Sequence, residues 1–250
     1  MNTTADGVAS LAMYPFVPLR NATDRLWAAV RRHLGWGPAH LEWTVVTPDV
    51  WRHPDLLLAQ ACGWPLITAL QGSVEVVGTF DYDVPGAANG RYRSVLIGRD
   101  GCTLDAVRAD PGARAAFNGP DSLSGWVSMC VAWGGRPDTL VETGAHRESV
   151  RAVAAGRADL ASIDAVSWTL ISTLEPEMVA GLHVIGSGPL VPCLPIVVGW
   201  RHRDKVPALR EAFAAAVADP ATADARAELR IRGFVPLGLA DYLPLASLLG

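Results

Sequence analysis

Along the chain, short apolar runs of strand character alternate with segments whose apolar positions recur every three to four residues. "GVASLAMY" (7–14) reads as a strand, "DRLWAAVRRHL" (24–34) as an amphipathic helix and "LEWTVV" (41–46) as the next strand. This order predicts parallel strands joined by crossover helices. "DLLLAQACGWPLITALQG" begins as a buried strand and turns at Gly63 and Pro65 into a short helix ending at Gly72. "SVEVVGTFDY" and "RYRSVLIG" read as two more strands, separated by the Pro- and Gly-bearing turn region "DVPGAANG".

A second α/β run starts near Gly101. "TLDAVRAD" reads as a helix, "ARAAFN" as a strand, 122–133 as a helix, "LVETG" as a strand, 146–155 as a helix and "ADLASID" as a strand. "LHVIGSG" and "PIVVGW" are strands again, and "KVPALREAFAAAVAD" (205–219) is strongly helical. No internal repeat or low-complexity linker separates these blocks. The pattern predicts an α/β protein with a discontinuous lobe I (1–99 and 184–250) and an inserted lobe II (100–183), joined by strands near 94–100 and 182–189. A ligand cleft between the lobes is the expected site.

Composition narrows the function. Half of the 250 residues are hydrophobic and 18% are charged, enough for a large core. The net charge is −4 and the 21 basic residues are dispersed, so no cationic face is available for a phosphate backbone and no nucleic-acid partner is expected. Cys62, Cys102, Cys130 and Cys193 lack metal-ligand spacing, and a reduced compartment is the simpler reading. The start of the chain shows no signal-peptide pattern, which reads as cytoplasmic as given, or periplasmic or extracellular if a leader has been removed. The richest apolar run, "GPLVPCLPIVVGW", is broken by prolines, so no membrane insertion is expected. No P-loop, G-x-G-x-x-G, G-x-S-x-G or H-E-x-x-H occurs, and six scattered histidines give no metal pattern; no cofactor and no metal are expected.

The candidate chemistry sits at strand-to-helix turns. In "FNGPDSLSGWVSM", Asp121 or Ser122 can cap a helix whose first N–H groups point outward. Ser122 and Ser124 add hydroxyls and Gly125 removes side-chain bulk, a pattern that suits an anion or a helix cap with nothing bound. "ETGAHRESVRAVAAGRADLASIDAVSW" brings His146 to a second turn and Asp164 to a strand end, where Asp164 can face a ligand or cap the next helix. "QACGWP" offers Gln60 at a third turn, and Tyr14 and Tyr82 close two strands with ring faces or hydroxyls. Trp64, Trp126 and Trp168 flank these turns and suggest an apolar or ring-bearing portion of a ligand.

Taken in order, "QACGWPL", "FNGPDSLSG" and "ETGAHRESVRAVAAGRADLASID" resemble the phosphate/phosphonate-binding proteins of ABC transporters. The resemblance implies the type 2 periplasmic-binding fold and capture of a small anionic ligand, with an ABC transporter permease as partner. It implies that Ser122, Ser124 and neighbouring N–H groups hold the oxyanion beside His146, that Asp164 faces a ligand's amino group, and that Tyr14 and Tyr82 match cleft aromatics. Leu123 stands where the family often has a small or polar residue. The same fold hosts cytosolic enzymes, so the competing reading is an enzyme acting on a small anionic metabolite with His146 as acid/base. A sensory module that reports ligand occupancy is a third.

Overall fold

The computed structural model describes residues 7–45 and 47–249. The start of the chain, read above for a leader, lies outside the described residues through Asp6. Among the described residues twelve strands run in chain order: β1 Val8–Ser10, β2 Leu56–Gln60, β3 Val74–Tyr82, β4 Arg91–Tyr92, β5 Ser94–Arg99, β6 Arg114–Phe117, β7 Thr139–Glu142, β8 Leu160–Asp164, β9 Leu182–Ser187, β10 Val191–Pro192, β11 Pro195–Gly199 and β12 Ile231–Val235. The chain forms two compact units: Met1–Asp83, Ala88–Gly90 and Pro192–Pro244 in the first, and Val84–Ala87, Arg91–Val191 and Leu245–Gly250 in the second. Residues 84–87, 91–99, 184–191 and 245–249, expected in lobe I or in the connections, therefore belong to the second unit. The physical reason is pairing: β5 is hydrogen-bonded on both edges, to β8 and β9, and its Leu96 and Ile97 are fully buried.

In the first unit the sheet order is β1-β2-β11-β3-β12. Only β1 and β2 run parallel there, because the return of the chain through β11 places an antiparallel strand between β2 and β3. The helix Arg20–Leu34 covers the unit's core with Leu26, Trp27 and Val30, carries three basic residues in its last turn and stops at Gly35, whose positive φ lets its N–H reach the Arg31 carbonyl. The helix Val206–Ala218 adds Phe213, stacked on Phe234 at 5.5 Å and meeting Phe80 edge-on at 5.7 Å. Burying one such ring stabilises the unit by about 1.5–3 kcal/mol.

Two segments depart from the sequence pattern. "LEWTVV" forms no strand over 41–45, and Val46 lies outside the described residues. The Glu42 carboxylate accepts hydrogen bonds from the Thr44 N–H and hydroxyl, both at 2.5 Å, and from Val45 N–H at 3.2 Å, curling the backbone into a turn. Conversely, Ile231–Val235 pairs with β3 although Arg232 and Gly233 interrupt its apolar alternation; Arg232 faces Asp81, its Nε donating to Oδ2 at 3.0 Å.

The second unit has the order β7-β6-β8-β5-β9, with β6 parallel to β7 and β8 and the remaining pairs antiparallel. The parallel strands read from the order of elements are thus accompanied by antiparallel ones in both units. Leu96, Phe117, Met129 and Leu160 lie in one core cluster. At one end, Asp159 accepts hydrogen bonds from Arg114 N and Nε at 2.9 and 3.1 Å and from Arg99 Nη2 at 2.9 Å, tying β6, β8 and β5 together. The carboxyl is held down to about 2 against its desolvation, chiefly by the Arg114 hydrogen bonds.

Because this pKa is depressed, the stabilisation is present above the carboxyl's ordinary 3.8 and is lost as pH falls towards about 2. Both arginine side chains are partly exposed, so solvent screening leaves about 1 kcal/mol. Asp159→Asn is expected to be less stable than wild type by that amount at pH 7 in urea unfolding, and the two curves should converge as the medium is acidified to pH about 2.

Candidate functional site

The second unit's candidate site is built at the end of β6. Ser122 has extended backbone and its Oγ accepts the Gly125 N–H at 2.9 Å, so Ser122, rather than Asp121, is the cap. Its carbonyl takes both Trp126 N–H and Val127 N–H at 3.1 Å, which makes Leu123–Val127 one π-helical turn before the helix Ser128–Trp133. The extra residue widens the first turn, a device common at functional sites. Ser162 Oγ donates to the Ser124 carbonyl at 2.6 Å and locks the turn onto β8.

Gly125 is required by packing. A Cβ there would lie 1.8 Å from Asn118 Oδ1, so the Asn118 side chain occupies the space that a larger residue would need. The Gly125 N–H is already used by Ser122. What remains to a ligand are the Ser122 hydroxyl hydrogen and the start of the turn at Ser124, where a backbone N–H has no preceding helical carbonyl to bond.

His146 reaches this turn because the end of β7 is pinned to the end of β6: Thr143 donates to the Phe117 carbonyl through its N–H at 2.9 Å and its hydroxyl at 3.0 Å. His146 Nε2 then lies 2.8 Å from Ser124 Oγ and 3.4 Å from Asp164 Oδ2. Asp164 takes the capping role, its Oδ1 accepting the Ser167 N–H at 2.9 Å at the start of the helix Ala165–Leu174, while Oδ2 faces the imidazole. Burial pushes the His146 pKa below its ordinary 6.5, against the opposing pull of Asp164 and of a hydrogen bond to the Ser162 backbone. The ring is therefore neutral at pH 7. With the Asp164 carboxylate 3.4 Å from Nε2, the ring proton belongs on Nε2; the Ser124 hydroxyl accepts from it and keeps its own hydrogen to donate.

Among the described residues, Nδ1 of His146 is buried without a hydrogen-bond partner, as is Asn118 Oδ1. A serine–histidine–carboxylate relay needs the hydroxyl and the carboxylate on different ring nitrogens. Here both contacts fall on Nε2, an arrangement that positions a donor and does not relay a proton.

Ser122, Ser124, Gly125, His146 and Asp164 are thus brought together in the second unit. Gln60, Tyr82 and Tyr14 form a separate set in the first. Gln60 Nε2 donates to the Tyr82 hydroxyl at 2.9 Å, and the Tyr14 ring meets Tyr82 edge-on at 5.8 Å. Tyr14 lies past β1, which ends at Ser10. Trp126 is committed to packing, 5.2 Å from Phe117 with the Arg136 guanidinium over its ring. Leu123 is a core residue, 2% exposed. Sequence reasoning missed Asn118 and Ser162. Asn118 stood inside the polar motif at 117–129, whereas Ser162 has the character of any small strand residue and gave no signal. Among the described residues no group of three His, Cys, Asp or Glu side chains is placed to hold a metal ion.

Two outcomes test this geometry. Gly125→Ala is expected to destabilise the protein by about 2 kcal/mol or more through overpacking against Asn118, read from denaturant unfolding. A neutral buried histidine binds fewer protons than its unfolded counterpart, so stability should fall as pH drops below about 6.5. His146→Gln should flatten that slope between pH 7 and 5 by about one histidine's proton uptake, a change that pH-dependent melting will show.

Comparison with known proteins adds to this picture. A family model described as "ABC transporter, phosphonate, periplasmic substrate-binding protein" matches residues 58–242. Among solved structures, the binding-protein component of an ABC phosphonate transporter from Pseudomonas aeruginosa has a TM-score of 0.77 at 17% identity, covering 98% of this chain and 86% of its own. PhnD1 from Prochlorococcus marinus, in complex with methylphosphonate, also has a TM-score of 0.77, at 13% identity over 96% and 95% of the two chains. XAC2383 from Xanthomonas citri, bound to ATP, has 0.66 at 15% identity over 96% and 94%. No curated protein matches the sequence. The two α/β units carry the type 2 periplasmic-binding-protein fold, and the chain belongs to the periplasmic substrate-binding proteins of phosphonate ABC transporters.

Proposed function

We propose that this protein captures a small organophosphonate outside the cytoplasm and hands it to an ABC transporter permease. The carrying observation is the Ser122–Ser124–His146 turn, where two buried serines retain hydroxyl hydrogens beside a neutral imidazole. The phosphonyl oxygens would accept from the Ser122 and Ser124 hydroxyls and from the N–H at the start of the turn. A hydrogen bond to a charged group is worth about 1.5–3 kcal/mol, so a few neutral donors suffice for micromolar capture. In the first unit, Tyr14, Gln60 and Tyr82 are proposed as a further ligand-contacting set on the strength of the Gln60–Tyr82 hydrogen bond and the adjoining Tyr14 ring.

Isothermal titration with methylphosphonate, phosphate and ATP tests the reading. Methylphosphonate is expected to bind without being consumed. Ser124→Ala should weaken it by roughly 10- to 100-fold, the equivalent of one charged hydrogen bond, while leaving the helix cap intact. Ser122→Ala should weaken it and also cost about 1 kcal/mol of stability through the lost cap. Unchanged binding in the Ser122→Ala/Ser124→Ala double variant would place the ligand elsewhere. Turnover that disappears in His146→Ala would favour the enzyme reading.

A further inference from the structure

The first unit carries a second concave feature. A groove of about 330 Å³ opens where β11 leaves the sheet, between Trp200 and Arg201 on one side and Trp51, Arg52 and His53 on the other. β11 and β2 run antiparallel with Ile196 opposite Gln60, so Trp200 lies near Leu56, the far end of β2. Four residue steps along β2 separate that end from Gln60, about 13 Å.

The wall is chemically distinctive. Trp51 is buried, its Nε1 donating to the Gln60 carbonyl at 3.0 Å, and forms a fixed apolar surface. Trp200 is 45% exposed, yet its backbone is held by a bond from its N–H to the Ser73 carbonyl at 2.9 Å, and Arg203 covers its ring at 4.9 Å. Arg201 faces Asp55 at 3.7 Å, whereas Arg52 has no ion-pair partner among the described residues. His53 Nδ1 accepts the Asp55 N–H at 3.1 Å, which leaves Nε2 as the protonated, donating nitrogen. A guanidinium fork and an imidazole N–H beside two indoles form a recognition set for a flat anion, and the volume is within the range of small-molecule sites.

We propose that this groove binds a small aromatic carboxylate, the carboxylate on Arg52 and His53 Nε2 and the ring against Trp200. The site would be independent of the serine turn in the second unit. It uses a cationic side chain where that turn uses neutral donors.

4-Hydroxybenzoate is the probe, read by titration calorimetry and by saturation-transfer NMR, with 4-hydroxybenzamide as its uncharged counterpart. The expected result is millimolar or tighter binding of the carboxylate. The amide, Arg52→Ala and Trp200→Ala should each weaken it by roughly tenfold, and Ser124→Ala should leave it unchanged. Arg52 is exposed, and melting curves of each variant check that the fold is retained. Arg52→Lys keeps the charge but loses the fork and should fall between wild type and Arg52→Ala. The proposal is overturned if 4-hydroxybenzoate does not bind, if Arg52→Ala and Trp200→Ala bind it as wild type does, or if methylphosphonate competes it off and Ser124→Ala abolishes it.

Discussion

A buried imidazole that stays neutral beside a carboxylate governs the second unit's site. Desolvation outweighs the attraction of Asp164 and lowers the His146 pKa, so the ring offers a hydrogen bond and no charge. That choice orients everything next to it. The Nε2 proton points to Ser124 Oγ and Asp164, the Ser124 hydroxyl is released to donate outward, and the second oxygen of Asp164 is left to cap a helix. A protonated ring in the same place would gain its carboxylate partner but would have to shed its hydration inside the unit.

The turn that carries these groups is held from several sides at once. One carbonyl, that of Ser122, accepts two backbone N–H groups, which inserts the additional residue of the π turn. Asn118 fills the space over Gly125, and Ser162 fastens the Ser124 carbonyl to β8. The result is a preorganised set of donors with little freedom to rearrange, the property that lets hydrogen bonds to an anion contribute without a large ordering cost.

The first unit handles polarity differently. Its polar pair, Gln60 and Tyr82, is hydrogen-bonded and lies among aromatic rings, and Trp51 braces the Gln60 main chain. Arginine side chains bond the main chain there. Arg210 donates to the Val77 and Leu237 carbonyls at 2.8 and 3.0 Å and ties the chain after β12 onto the sheet, while Arg52 and Arg201 stand at the groove.

How much of this was legible depended on whether the signal was local. The caps, the helix Val206–Ala218, the polar motif at 117–129 and the placement of Ser122, His146 and Asp164 at element ends follow from residue types and spacing, because capping and amphipathicity act over a single turn. Strand direction did not. The expected parallel sheets became mixed since β5, β9 and β11 pair with strands far away in sequence, and the boundary between units moved with them. Glu42 curled a strand-like run into a turn, and Arg232 found Asp81 across a strand that its own composition concealed. The sequence by itself determined which residues stand at the turns. Only the tertiary structure decided that Ser124 and Asp164 share one nitrogen of a neutral His146 and that Gly125 makes room for Asn118, because these are contacts between segments whose separation no local pattern encodes.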